Sequence, residues 1–212
     1  MNPIRVDIVS DVVCPWCIVG LRQLQNAADK TGIGIDVHWH PFELNPQMPE
    51  AGQNLQEHIC EKYGTTVEQN NENRKMLSTL GTELGFSFQY DDNSRMVNTF
   101  KAHQLLHWAK LQDQEHVLKQ ALFTAYFTEQ RDVSDTDVLL SVVDSVGLDK
   151  DEASSVLNDG RHQSDVRSAQ QFWAGQGVSG VPAMVFSEKY LVTGAQGIDY
   201  YSEVLNKISA EN

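Results

Sequence analysis

Residues 4–17 read IRVDIVSDVVCPWC, and this stretch carries most of the information about the fold. Residues 4–10 alternate apolar and polar side chains and are rich in β-branched residues, which is typical of a strand. The cysteines Cys14 and Cys17 follow directly, and apolar residues then recur at helical spacing. A second alternating stretch, residues 35–40, ends at a proline. The chain is therefore predicted to open with a βαβ unit of parallel strands, with Cys14 at the start of the helix.

The remainder of the chain predicts a helical insertion followed by a return to β-structure. Across residues 51–175 apolar side chains recur at three- and four-residue steps, which predicts a series of helices. Residues 183–193 contain two short apolar runs with a hairpin-sized connection, and residues 199–208 predict a closing helix. The prediction is an α/β protein whose sheet is built from residues 1–50 and 176–212, with an all-helical domain inserted between them.

Composition and charge exclude several classes of partner. The chain has 212 residues and a formal net charge of −13 at pH 7. Such a surface repels phosphate groups, so we expect neither nucleic-acid binding nor docking on anionic membranes. The apolar runs are shorter than the ~18 residues of a membrane span. The N-terminal residues lack the apolar region of a secretory signal, so a cytoplasmic protein is expected. The sequence leaves open whether the protein forms a homodimer.

The C-x-x-C motif formed by Cys14 and Cys17 predicts redox chemistry. A helix N-terminus carries partial positive charge, so the pKa of Cys14 is expected to fall below the usual ~8.5. Cys17 is expected to be more buried and to titrate higher. This asymmetry suits dithiol exchange, in which Cys14 attacks a disulfide and Cys17 resolves the product. Pro15 suits the first helical turn, and Trp16 offers an aromatic surface beside the sulfur.

A metal site is the chemical alternative for a C-x-x-C motif. Structural zinc sites usually pair two such motifs, whereas the third cysteine here, Cys60, stands alone in the sequence. His103 and His107 lie four residues apart on a predicted helix, but no third ligand is evident. The sequence therefore predicts no metal site and no bound cofactor, only a redox-active disulfide. Cys60 is interpreted as a small hydrophobic residue, with a regulatory thiol as the alternative.

A second motif, Gly180-Val181-Pro182, directly precedes a predicted strand. An X-Pro peptide bond adopts the cis form at modest cost. In a thioredoxin-like fold, a cis-proline loop faces the C-x-x-C motif. There the N–H and C=O of Val181 would pair with an extended substrate, so Val181 and Pro182 are predicted to bind substrate.

Taken together, these motifs resemble the DsbA-like thioredoxin family, and especially its FrnE-type cytoplasmic branch. The resemblance implies a thioredoxin fold with a helical insertion, and thiol-disulfide oxidoreductase activity on protein or small-molecule disulfides and dithiols. It implies that Cys14 is the nucleophile, Cys17 the resolving cysteine and Pro182 the cis-proline. The patches that carry it are CPWC with Gly20, PFELNP at 41–46, Asn98-Thr99 with Ala102-His103, GVP at 180–182, and GAQ at 194–196.

Related glutathione enzymes suggest a second function. Kappa glutathione transferases and hydroxychromene-carboxylate isomerases share the architecture, but they usually carry serine where Cys14 stands. Their glutathione loop contains an Asp near the position of Ala195 and Gln196, which the resemblance marks as substrate-binding residues. The alternatives are therefore a glutathione-dependent isomerase or transferase acting on a small aromatic substrate, with glutathione as co-substrate, or a non-catalytic peptide-binding or chaperone module.

Four further polar residues are candidates for supporting roles, each with a structural alternative. The functional hypothesis for Asp11 is that it relays a proton to Cys17, and the structural alternative is that it occupies the strand-to-helix loop. His40 approaches the active-site end of the sheet or is a hydrogen-bonded structural residue. Asn98 and His103 face the C-x-x-C motif or form a buried polar cluster.

Overall fold

The computed structural model describes residues 2–211. These residues form two compact units, the first built from the chain up to Leu44 and from Arg167 onward, the second from Asn45 to Val166. The sequence predicted one domain from residues 1–50 and 176–212 and a second from residues 51–175, and these boundaries remain a prediction. In chain order the elements are β1 (Ile4–Ser10), α1 (Pro15–Thr31), β2 (Ile35–Pro41), β3 (Gln53–Asn54), α2 (Leu55–Tyr63), α3 (Val67–Glu83), β4 (Arg95–Met96), α4 (Phe100–Lys110), α5 (Glu115–Phe123), a π-helical turn (Thr124–Thr128), α6 (Thr136–Ser145), α7 (Lys150–Asp159), α8 (Gln163–Gly175), β5 (Ala183–Phe186), β6 (Tyr190–Thr193) and α9 (Ile198–Glu211).

The first unit is built on a four-stranded sheet in the order β2-β1-β5-β6. Strands β1 and β2 are parallel, whereas β5 runs antiparallel to β1 and β6 runs antiparallel to β5. The two ends of the chain therefore pair in one sheet. This confirms the predicted α/β thioredoxin fold with its βαβ opening and ββα ending.

Helices cover both faces of this sheet. On one face α1 packs against α9, and Met184 of β5 points towards α1. On the other face Val9 and Ala183 pack against Trp173 of α8. The central strands are consequently buried on both sides, so polar side chains within them need hydrogen-bond partners.

The second unit contains the predicted series of helices and also a short β-sheet. Two-residue strands β3 and β4 form an antiparallel pair, which is too short to produce an alternating pattern in the sequence. Helix α4 begins at Phe100, after Arg95 and Met96 have paired with β3, and the side-chain oxygen of Asn98 accepts the Phe100 N–H at 2.9 Å. Within residues 2–211, helices lack the length and apolar character needed to cross a bilayer.

Candidate functional site

Cys14 stands at the N-terminus of α1, where the chain leaves β1 and enters the helix. Its backbone is extended, with φ −94° and ψ 110°, and Pro15 begins the helix. The Cys17 N–H donates to the Cys14 carbonyl at 3.1 Å and closes the first turn. Both sulfurs are buried and in the dithiol form. The Cys14 sulfur therefore lies at the positive end of the α1 dipole.

The loop that precedes β5 faces Cys14. The Cys14 thiol donates to the Val181 carbonyl, with 3.7 Å between Sγ and O. The Val181–Pro182 peptide bond is cis, which confirms that part of the prediction. The Pro182 carbonyl in turn accepts the Gly194 N–H at 2.8 Å. Two motifs 167 residues apart in the sequence are thus in direct contact.

Gly20 allows this loop to lie close to α1. A Cβ atom at this position would be 3.1 Å from the Met184 methyl carbon and 3.2 Å from Cγ of Pro182. Both distances are shorter than ordinary van der Waals contacts between carbon atoms. The absence of a side chain at Gly20 is therefore a condition for the observed packing of Pro182 on the helix that carries Cys14.

The surroundings of Cys14 favour its protonated form. The hydrogen bond with the Cys17 side chain, burial, and the charge of Cys17 raise the pKa of the Cys14 thiol, while the Cys17 backbone N–H acts in the opposite direction. This corrects the fall in pKa expected from the helix N-terminus, because that expectation left out burial and the second sulfur. The pair consequently resists loss of its second proton.

The cysteine sulfurs are shielded from solvent, whereas a neighbouring aromatic side chain is exposed. Cys14 is only 3% exposed, whereas the neighbouring Trp16 is 37% exposed and offers an aromatic surface to solvent. Pro15 and Val181 are half-buried. A substrate must therefore break the contact between Cys14 and Val181 to reach the sulfur.

Ala195 and Gln196 lie in the turn between β6 and α9, next to the Pro182 loop. Gly194 joins that turn to Pro182 through its N–H, and its carbonyl accepts the Tyr201 hydroxyl at 2.9 Å. Burial raises the pKa of Tyr201 to about 12, so the hydroxyl keeps its proton. Ala195 is half-buried, whereas Gln196 is exposed and its side-chain amide donates to the Thr193 carbonyl at 2.6 Å.

Asp11 is buried beside the cysteine pair. Its Oδ2 accepts the backbone N–H of Leu44 at 2.7 Å, an interaction that anchors the segment after β2. Its charge also contributes, as the smallest of the causes, to raising the pKa of Cys14. These contacts favour the structural interpretation of Asp11, and the proton relay to Cys17 stays a prediction.

His40 faces a cleft of about 450 Å³ on the sheet face covered by α8. Its Nε2 lies 2.8 Å from Oδ1 of Asp7, and its ring centroid lies 4.6 Å from that of Trp173. Arg5 also donates two hydrogen bonds to Asp7, each 2.9 Å long. These contacts favour the structural interpretation of His40. Sequence reasoning missed Asp7, although an acidic residue among the apolar residues of β1 was a usable signal.

Replacing Asp7 with asparagine is expected to lower the free energy of unfolding by about 2 kcal/mol at pH 7, since the variant loses charge-assisted hydrogen bonds. Burial raises the pKa of Asp7, but the hydrogen bonds from His40 and Arg5 outweigh burial and hold it well below its ordinary value. A depressed pKa stabilises the fold above the unfolded-state value near ~4, and this stabilisation is lost as the pH falls below it. The difference between the two proteins should therefore shrink by about 1 kcal/mol at pH 3.

Urea unfolding of the Asp7→Asn variant and the parent at pH 7 and pH 3 measures this effect. Asp36→Asn is the matched control, because Asp36 forms the same kind of pair with His38 at 2.8 Å but is exposed. Its change should stay below about 0.5 kcal/mol. Equal losses in the two variants, or a pH-independent loss at Asp7, would contradict the assignment.

Asn98 and His103 lie in the second unit. The Asn98 amide donates to the Met48 carbonyl at 3.1 Å, and its oxygen accepts the Phe100 N–H at 2.9 Å. His103 is buried on α4. These contacts give Asn98 a structural role, and the expected roles of both residues towards the cysteine pair stay predictions. Cys60, on α2, is half-buried.

Comparison with known proteins identifies the family. A family model described as a DSBA-like thioredoxin domain matches residues 5–206. A probable DsbA oxidoreductase from Streptomyces coelicolor is 30% identical, with a TM-score of 0.92 over 99% of this chain and 91% of that one.

Two more distant structures share the fold. A 2-hydroxychromene-2-carboxylate isomerase is 13% identical, with a TM-score of 0.70 over 98% of this chain and 97% of that one. The cytosolic disulfide reductase DsbM from Pseudomonas aeruginosa, in its structure with GSH, is 15% identical, with a TM-score of 0.65 over 97% and 99% of the two chains. The family match over nearly the whole length and the thioredoxin fold agree, and the chain belongs to the DSBA-like thioredoxin domain family.

Proposed function

We propose that the protein is a thiol-disulfide oxidoreductase in which Cys14 is the nucleophile and Cys17 the resolving cysteine. One observation carries the proposal. The Cys14 sulfur lies at the start of α1 and 3.7 Å from the Val181 carbonyl, between a second thiol and a backbone segment suited to binding a peptide. Membership of the DSBA-like thioredoxin domain family and the 30% identity with a probable DsbA oxidoreductase support the proposed oxidoreductase activity.

The reaction is a two-electron exchange. The Cys14 thiolate attacks one sulfur of a substrate disulfide, the S–S bond breaks, and the second substrate sulfur leaves as a thiolate that takes up a proton. The Cys17 sulfur then attacks Cys14 in the mixed disulfide and releases the first substrate sulfur. The substrate is reduced and the pair becomes a Cys14–Cys17 disulfide. The reverse sequence oxidises a dithiol, and the reduction potential of the pair decides the direction.

The residues around the pair have defined parts in this proposal. The Val181 carbonyl, which accepts the Cys14 thiol in the free protein, accepts an N–H from an extended substrate once Cys14 has reacted. Trp16 supplies an exposed apolar surface beside the sulfur. Because the hydrogen bond with the Cys17 side chain raises the pKa of Cys14, the attacking species is the minor thiolate form, which the N-terminus of α1 stabilises.

Glutathione is the proposed small-molecule partner. Two glutathione molecules would return the disulfide to the dithiol and leave as oxidised glutathione. The neighbour DsbM was solved with GSH, and the exposed Gln196 beside the Pro182 loop is a candidate contact. The isomerase neighbour supports a second candidate function, a glutathione-dependent isomerase or transferase. A cytoplasmic location is part of the proposal, since the recycling reductant is abundant there.

A redox titration tests the proposal. The protein is equilibrated in graded mixtures of reduced and oxidised glutathione, quenched with acid and alkylated, and its cysteines are mapped by peptide mass spectrometry. We expect a reversible Cys14–Cys17 disulfide with one midpoint, while Cys60 stays alkylated at every ratio. The midpoint would place the pair among reductants or oxidants.

The same titration separates the two candidate functions. A stable glutathione adduct on Cys14 without an internal disulfide would contradict the dithiol mechanism and support the glutathione-dependent isomerase or transferase. Saturable binding of glutathione that persists in the Cys17→Ser variant would also support the glutathione-dependent isomerase or transferase. A cysteine pair that stays reduced at every ratio would overturn the dithiol mechanism.

A further inference from the structure

Three side chains of the second unit converge outside the cysteine site. His107 lies on α4, His162 in the turn after α7, and Asp165 in the first turn of α8. Oδ2 of Asp165 is 3.5 Å from Nε2 of His107 and 3.0 Å from Nδ1 of His162. One possible ligand atom from each residue lies within 4.8 Å of the other two. The sequence alone paired His103 with His107 and left them without a third ligand.

We propose that His107, His162 and Asp165 form a binding site for a divalent transition-metal ion, with zinc as the best match. Imidazole nitrogen and carboxylate oxygen are common zinc ligands, and three protein ligands leave one position for water. Ligand atoms that surround zinc tetrahedrally at 2.0–2.1 Å lie about 3.3 Å from one another. The two measured separations, 3.0 and 3.5 Å, bracket that value, so small side-chain rotations suffice to place an ion between them.

The alternative is a hydrogen-bonded cluster, in which Asp165 and His162 simply cap α8. That arrangement accounts for His162, whose carbonyl accepts the Val166 N–H and starts the helix. Capping of α8 does not require the second imidazole, that of His107, whose ring centroid lies 4.9 Å from that of His162.

The surroundings of the three side chains leave the cluster open to an ion. The cation next to the cluster in sequence, Arg161, is occupied by Asp159 and Glu152, at 2.7 Å from each. The Asp165 side chain is 48% exposed, so an ion and its bound water can reach the site.

A bound ion would connect α4 to the beginning of α8 and stabilise that part of the fold. Binding to the folded chain alone raises the melting temperature, by about 5 °C for a protein of this size when zinc is at a hundredfold excess over its dissociation constant. Removal of the ion by a chelator should reverse the shift. This inference is independent of the proposed oxidoreductase activity.

Zinc titration of the full chain tests the site. Because thiols also bind zinc, the titration uses the Cys14→Ser, Cys17→Ser, Cys60→Ser chain, with affinity read by competition against a chromophoric chelator. We expect one zinc per chain, with binding weakened at least ~10-fold by His107→Ala and by Asp165→Asn. His38→Ala is the matched control, because His38 also pairs with a carboxylate, that of Asp36 at 2.8 Å, and its removal should leave zinc affinity unchanged.

Cobalt spectra of the wild-type chain provide a second readout, which does not need the cysteine substitutions. Nitrogen and oxygen ligation produces visible bands without the intense near-ultraviolet absorption of thiolate ligation, and these bands should disappear in His107→Gln and Asp165→Asn. Zinc binding that persists in both variants would place the metal elsewhere and overturn the proposal. Failure of the cysteine-free chain and the wild type to bind either ion would also overturn it.

Discussion

Cys14→Ser is expected to abolish disulfide exchange, with the rate falling more than about 100-fold, because the hydroxyl is not ionised near neutral pH and cannot replace the thiolate. Cys17→Ser should give a different result. The variant keeps the nucleophile but cannot resolve its product, so mixed disulfides between Cys14 and substrate should accumulate. Reduction of a fluorogenic peptide disulfide and mass spectrometry of trapped adducts measure the two effects.

Cys60→Ser is the control for this pair of variants. Cys60 lies half-buried on α2, in the unit that does not carry the Cys14–Cys17 pair, and its loss should leave the exchange rate within twofold of the parent. Full activity in Cys14→Ser would exclude Cys14 as the nucleophile. A substrate adduct on Cys17 in the Cys14→Ser variant, formed at the parent's rate, would reverse the two roles.

Gly20→Val should destabilise the fold and slow exchange at the same time. Its Cβ would lie 3.1 Å from Met184 and 3.2 Å from Pro182, and the added methyl groups need further space. Overpacking of a tight core costs about 1–3 kcal/mol. Relief of the clash moves the Pro182 loop away from α1, and with it the Val181 carbonyl that contacts the Cys14 sulfur. We expect exchange in the folded variant to slow by about tenfold, since small misplacements at a reacting centre are costly.

Gly175→Val is the matched control for this substitution. Gly175 also lies on a helix, but a Cβ atom there would meet no other atom within 4 Å. Its stability should change by less than about 1 kcal/mol, the helix-propensity difference between the two residues. Urea unfolding and the exchange assay, both at a temperature where each variant is folded, measure the effects. Equal behaviour of the two variants would show that Gly20 does not position the loop.

Local patterns in the sequence were sufficient for the main elements of the first unit. Residues 4–10 are rich in β-branched residues and alternate apolar and polar side chains, which predicted the strand, although both of its faces are buried. The apolar spacing after Cys17 is that of a helix. Pro15 and Gly32 occupy the positions favoured at a helix start and end, with Gly32 at φ 68°. The location of Cys14 at the start of α1 follows from these residues alone, because each signal depends on neighbours in the chain.

Contacts between distant segments were decided only by the tertiary structure. The Asp7–His40 pair and the convergence of His107 with His162 each join residues far apart in the sequence. The resemblance to the DsbA-like family predicted that the Pro182 loop faces Cys14, but the 3.7 Å contact of Cys14 with Val181 is seen only in the structure. Side-chain periodicity reports which face is buried and contains no information about which residue lies opposite. The direction of the Cys14 pKa shift has the same origin, since the hydrogen bond with the Cys17 side chain and the burial of Cys14 depend on the folded structure.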